Sequence, residues 1–156
     1  MQNQITKTIE LKAPVSRVWK ALTDHRQFGE WFGVQLEGPF VVGQASTANV
    51  AKACNGRENV KIQFLIKKIE PEHTFSYNWH PYSVEPDVDY SKETPTLVEF
   101  TLAPTTGGTR LTVVESGFDK VPEHRRLEAF RMNTNGWERQ MQNIEKYVSQ
   151  TAQLSS

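Results

Sequence analysis

The stretch Pro122–Val148, PEHRRLEAFRMNTNGWERQMQNIEKYV, decides the fold. Within it Leu127, Phe130, Thr134, Trp137, Met141, Ile144 and Val148 recur at spacings of three and four. That is the period of an amphipathic helix, and charged or amide residues fill most of the other positions. A stripe of this length must bury itself on something. What precedes it reads almost entirely as strand, so the helix is expected to lie across a curved antiparallel sheet with a space between the two. Thr134 and Gly136 interrupt the large side chains near the middle, just before Trp137. Contact with the sheet is therefore expected to be tight at one end and open at the other. An interior glycine costs about 1 kcal/mol relative to alanine, and the expected compensation at Gly136 is a close approach of helix to sheet.

Working outward, Ile5, Lys7, Ile9 and Leu11 alternate with polar residues and read as a half-buried first strand. Ala13-Pro14 changes the period, and two short helices are expected over about 14–23 and 25–32. Strands follow at Val34–Phe40, Ala45–Ala53, Glu58–Glu70, Thr74–His80, Thr96–Ala103 and Thr109–Ser116. Asn55-Gly56 is a hairpin signal. The order is one strand, two helices, six strands and a long helix, which makes an α+β two-layer domain with an antiparallel meander. The segment between Pro81 and Pro95 holds three prolines and the acids Glu85, Asp87, Asp89 and Glu93. It is too long for a hairpin turn and has the length of a lid or binding loop.

Composition narrows the function classes. The 156 residues suit one domain, expected over 1–150 with a frayed tail at 151–156. Eighteen basic residues balance eighteen acidic ones, which argues against a nucleic-acid partner. The single cysteine, Cys54, allows no intramolecular disulfide, so a reducing compartment is expected. No apolar run approaches membrane-spanning length, and the N-terminus lacks a signal-peptide core. A cytoplasmic protein without a membrane span follows as the expectation.

The segments Ala13-Pro14, Val18–Asp24 (VWKALTD), Trp31-Phe32, Ile69-Glu70-Pro71, Thr74–Trp79 (TFSYNW), Thr96–Leu102, Gly107–Thr112, Ser116-Gly117-Phe118 and Gly136-Trp137 resemble, in order, the START-like (SRPBCC) superfamily. Within it the chain is most similar to the group named after the C-terminal domain of the activator of Hsp90 ATPase. The resemblance implies a helix-grip fold: a curved seven-stranded antiparallel sheet around a long C-terminal helix, with two short helices after the first strand. It implies a cavity as well, but no single function, since members range from lipid carriers to cyclases and co-chaperone domains.

Trp31, Phe32, Tyr77, Trp79, Phe100, Phe118, Phe130 and Trp137 form an aromatic set that could wall an apolar ligand or simply pack the core. Glu115 continues the inward parity of Leu111 and Val113. It is either an anchor or base in the cavity, or an exposed strand end, or the partner of an arginine such as Arg131. Asn133 and Thr134 could hydrogen-bond a ligand, with Thr134 favoured because it lies on the stripe. His80 beside the long loop could act as a base but has no evident partner in the sequence. Cys54 reads as an inert small residue. The histidines show no zinc spacing, Asp87 and Asp89 alone do not make a calcium site, and there is no P-loop, G-x-G-x-x-G or nucleophile elbow. No catalytic residue, metal or cofactor is therefore assigned.

The leading expectation is a protein that binds a mostly apolar small molecule or lipid between the closing helix and the sheet, gated by the long loop and the Phe28–Phe32 helix. The alternatives are a chaperone-associated interaction module and a cyclase- or hydrolase-like enzyme using Glu115, His80 or Tyr77 in the same cavity. Either a monomer or a homodimer is compatible with the sequence.

Overall fold

The computed structural model describes residues 3–52, 58–82 and 89–154. Cys54, the Asn55-Gly56 turn, and Glu85 and Asp87 of the long loop lie outside them. Strand β1 (Gln4–Leu11) is followed by helices α1 (Val15–Thr23) and α2 (His25–Phe32). Six strands come next: β2 (Gln35–Leu36), β3 (Ala45–Lys52), β4 (Glu58–Glu70), β5 (Thr74–Trp79), β6 (Thr96–Thr105) and β7 (Gly108–Ser116). Helix α3 (Glu123–Leu154) closes the fold. The seven strands form one antiparallel sheet in the order β1-β7-β6-β5-β4-β3-β2. The meander thus runs from β2 to β7, and β1 completes it from the far side of β7, with Ile5 opposite Glu115 and Leu11 opposite Thr109. This is the helix-grip architecture.

Local chemistry sets the element ends. Asp24 caps α2, its side chain accepting from the backbone N–H groups of Arg26 and Gln27 at 3.0 and 3.3 Å. Gly33, at φ 86°, supplies the left-handed residue that stops α2, and its N–H returns to the carbonyl of Gly29. Burial alternates over Thr96–Ala103 of β6 and along β7. Thr96, Val98, Phe100 and Leu102 of one strand and Thr109, Leu111, Val113 and Glu115 of the other point inward.

Two expectations change. The strand expected over Val34–Phe40 is reduced to Gln35–Leu36. Pro39 has no N–H to give a ladder, and Phe40 turns into the core, its ring 5.5 Å from Phe28 and 5.1 Å from Phe75. Leu127, read as part of the buried stripe, is 68% exposed, whereas Ala129 is fully buried. At about 100° per residue these two fall roughly 80° to either side of Trp137. At this end the fold covers the flank of Ala129 and leaves that of Leu127 open. Farther along, Trp137, Met141, Ile144 and Val148 bury as the period requires.

Candidate functional site

One flank of α3 borders a cleft. The space measures about 520 Å³ and is lined by Phe32, Gly33, Val34, Val50, Trp79, Met132, Asn133, Asn135, Gly136, Trp137, Arg139, Gln140 and Asn143. Its floor is three rings. Phe32 comes from the last turn of α2, Trp79 from the end of β5 and Trp137 from the middle of α3. Their centroids stand 6.0, 5.9 and 5.8 Å apart, a nearly equilateral triangle. Gly136 belongs to this lining. A Cβ placed there meets nothing within 4 Å, so the expected close approach of helix to sheet does not exist. The missing side chain widens the cleft instead.

Behind the rings lies Glu115, with none of its surface exposed. One carboxylate oxygen accepts from Trp79 Nε1 at 2.7 Å and from Thr96 Oγ1 at 2.5 Å. The other accepts from Trp137 Nε1 at 2.8 Å and Asn133 Nδ2 at 2.9 Å. Of the readings the sequence offers, the solvent-exposed strand end and the pair with Arg131 do not describe this arrangement. Four neutral donors from β5, β6 and α3 converge on one carboxyl group, and each oxygen takes two of them. Burial pushes its pKa up, and the four donors pull it back without cancelling the rise. The physical result is that both indole N–H edges turn inward and only carbon faces the cleft.

The remaining residues singled out from the sequence fall in three places. Trp31, Tyr77 and Phe100 are core, with Trp31 donating from its indole to the carbonyl of Ala21 at 2.7 Å. Phe118 and Phe130 pack edge to face at 5.1 Å near the start of α3, away from the cleft lining. Thr134 donates to the carbonyl of Phe130 one turn back, at 2.7 Å, and faces the flank opposite the cleft. Asn133 is the one that reaches the site. Gln140, absent from the sequence-based set, also belongs here: its Nε2 donates to the Phe32 carbonyl at 2.9 Å and its oxygen accepts from Asn143 at 3.0 Å. Its spacing of seven from Asn133 and three from Asn143 marks one flank of the helix, a signal present in the sequence once the cleft side is known.

Among the described residues, two buried side-chain polar atoms have no hydrogen-bond partner. The Tyr77 hydroxyl is enclosed among Phe64, Phe75, Trp79 and Phe100, and burial, then the charge of Glu115, raise its pKa well above the ordinary value. The other is His80 Nδ1. Burial lowers the pKa of this imidazole, Arg125 adds to that, and Glu93 and Asp89 oppose it. Arg125 itself, on α3, donates from Nε and Nη2 to Glu93 at 2.9 and 2.6 Å and from Nη1 to the carbonyl of Pro81 at 2.7 Å. It also lies over the Tyr90 ring, so one guanidinium ties both described ends of the long loop to α3. Asp89 is spent locally, accepting from Ser91. Among the described residues no group of three histidine, cysteine or acidic side chains could hold a metal ion, and no helix is long and apolar enough to cross a membrane.

A family profile described as activator of Hsp90 ATPase homolog 1-like protein matches residues 12–149. No curated protein sequence matches the chain. Among solved structures, protein MLL2253 from Mesorhizobium loti is similar at 26% identity and a TM-score of 0.73, over 95% of this chain and 98% of that one. Protein NE0264 from Nitrosomonas europaea superposes with a TM-score of 0.74 at 19% identity, over 96% of each chain. The Aha1 dimer from Colwellia psychrerythraea does so with a TM-score of 0.68 at 18% identity, over 94% of this chain and 91% of that one. The last two likenesses speak for the fold alone.

Proposed function

This chain belongs to the activator of Hsp90 ATPase homolog 1-like family, and from that premise we propose that it binds a mostly apolar small molecule in the cleft between α3 and the sheet. The observation that carries the reading is the three-ring floor of Phe32, Trp79 and Trp137 beneath an open space of about 520 Å³. Aromatic faces with their polar edges already satisfied gain from contact with an apolar ligand, at about 25 cal/mol per Å² before association costs. Binding is favoured over catalysis because the buried carboxyl of the site has its acceptor positions filled by protein donors. The test uses Gly136→Leu. With open space at the Cβ, a leucine side chain can project into the cleft and take up part of it. Titration with the neutral dye N-phenyl-1-naphthylamine should saturate on the wild-type protein and weaken by about ten-fold or more in the variant. Equal binding by both proteins would remove the cleft as the site.

A second reading, a protein-docking surface, draws on a different place. Val41 and Val42 are 45% and 53% exposed and Leu65 is 39% exposed. Hydrogen bonds from Gly43 N–H to the Ile66 carbonyl and from Ile66 N–H to the Gln44 carbonyl bring their turn beside β4. A small apolar patch of this kind suits a chaperone or a second copy of the chain. Sedimentation equilibrium and a pull-down with purified Hsp90, on wild type and on Val42→Asp, test it. A monomer that captures nothing rules it out.

A further inference from the structure

Resting on the reading of the cleft as a ligand site, we infer that its ligand is a flat organic anion: an aromatic or fused-ring body laid against the partly exposed rings of Phe32 and Trp79, with a carboxylate or comparable oxyanion held by Arg139. Three observations carry this. The floor is aromatic surface, its rings tilted 39–61° to one another, with neither indole N–H free, because Glu115 accepts from both, so the floor selects apolar aromatic contact rather than hydrogen bonds. Arg139 is the only charged residue among the described lining residues, none of which carries a carboxylate. Its guanidinium makes no hydrogen bond or ion pair to any described residue, and the positions one turn before and after it on α3 are Asn135 and Asn143, which cannot neutralise it. A guanidinium fork beside neutral amides is a receptor for an oxyanion.

Electron-rich ring faces would also suit a cation. Here the charge at the rim has the wrong sign for that, and the carboxyl group of Glu115 is sealed behind the rings under four donors.

The test is a matched pair of dyes, 1-anilinonaphthalene-8-sulfonate and N-phenyl-1-naphthylamine, which share a ring system and differ by the sulfonate. Each is titrated against wild type, Arg139→Gln and Gly136→Leu, with circular dichroism to verify folding. Wild type should bind the anionic dye about ten-fold more tightly than the neutral one, and added salt should narrow the gap. Arg139→Gln should erase the preference while leaving the neutral dye within about two-fold of wild type. Gly136→Leu should weaken both. If wild type binds the two dyes equally, or prefers the neutral one, or if Arg139→Gln keeps the preference, the anion inference fails while the cleft stands as a ligand site. If Gly136→Leu changes neither dye, the cleft reading fails and the inference with it.

Discussion

Glu115 carries the clearest consequences at the scale of single residues. Its folded pKa is raised above the ordinary 4.5, chiefly by burial. The folded protein therefore takes up this proton at a higher pH than the unfolded chain. The resulting stabilisation is complete below the ordinary value and is lost as pH rises through the folded value. Glu115→Gln has no such proton, so the melting temperature of the variant minus that of wild type should rise with pH across that window. A falling difference would mean that the four donors outweigh burial. Glu115→Leu strands two indole N–H groups, an amide and a hydroxyl; several penalties of 1–3 kcal/mol each predict a loss of about 3 kcal/mol or more in urea unfolding. Tyr77→Phe works in the other direction. It deletes a buried hydroxyl without a protein partner and should stabilise the fold by about 1 kcal/mol, read from the same unfolding curves. The inward parity of Glu115 was legible in the sequence. Its four partners were not, because they come from three elements whose juxtaposition only the sheet register and the helix placement set.

At the scale of elements, the stripe on α3 fixed its centre line at Trp137 but not which flank would border open space. Periodicity locates a face relative to its own helix and carries no information about the partner's outline. That is why the stripe points to Thr134 rather than Asn133, and why Gly136 reads from sequence as a packing device. Gly136→Ala should now stabilise the protein by about 0.5–1 kcal/mol, the helix-propensity difference, with no steric cost; a loss of stability in thermal unfolding would restore close packing at that position. Strand positions fared better, since alternation along β6 and β7 fixes parity without reference to a neighbour. The weak end of the strand expected at Val34–Phe40 was marked by Gly38-Pro39, and the inward turn of Phe40 shortened it further. Beside these, Arg125 acts as a clamp between α3 and the long loop, with its own side chain and that of Glu93 only 13% and 12% exposed. Arg125→Ala should cost about 2 kcal/mol and speed amide hydrogen exchange at Trp79–Tyr82 and Tyr90–Glu93. Lysine should not rescue it, because it cannot reproduce the forked contacts.

For the whole molecule, architecture followed from element order, and the open space of about 520 Å³ lies along one flank of the closing helix. A ligand held in that cleft must raise the melting temperature by an amount that grows with the logarithm of its concentration once this exceeds Kd, so thermal shift across a panel of flat organic acids is the direct search. The sheet carries one more implication, through the pairing of β1 with β7. Glu10 and Arg110, joined at 2.7 Å, are 100 residues apart in sequence. Strand β1 therefore leaves the ribosome about 100 residues ahead of its neighbour β7. Until β7 emerges, Gln4–Leu11 offers an unsatisfied edge to any passing chain, and closing so large a loop carries an entropic cost that should slow folding.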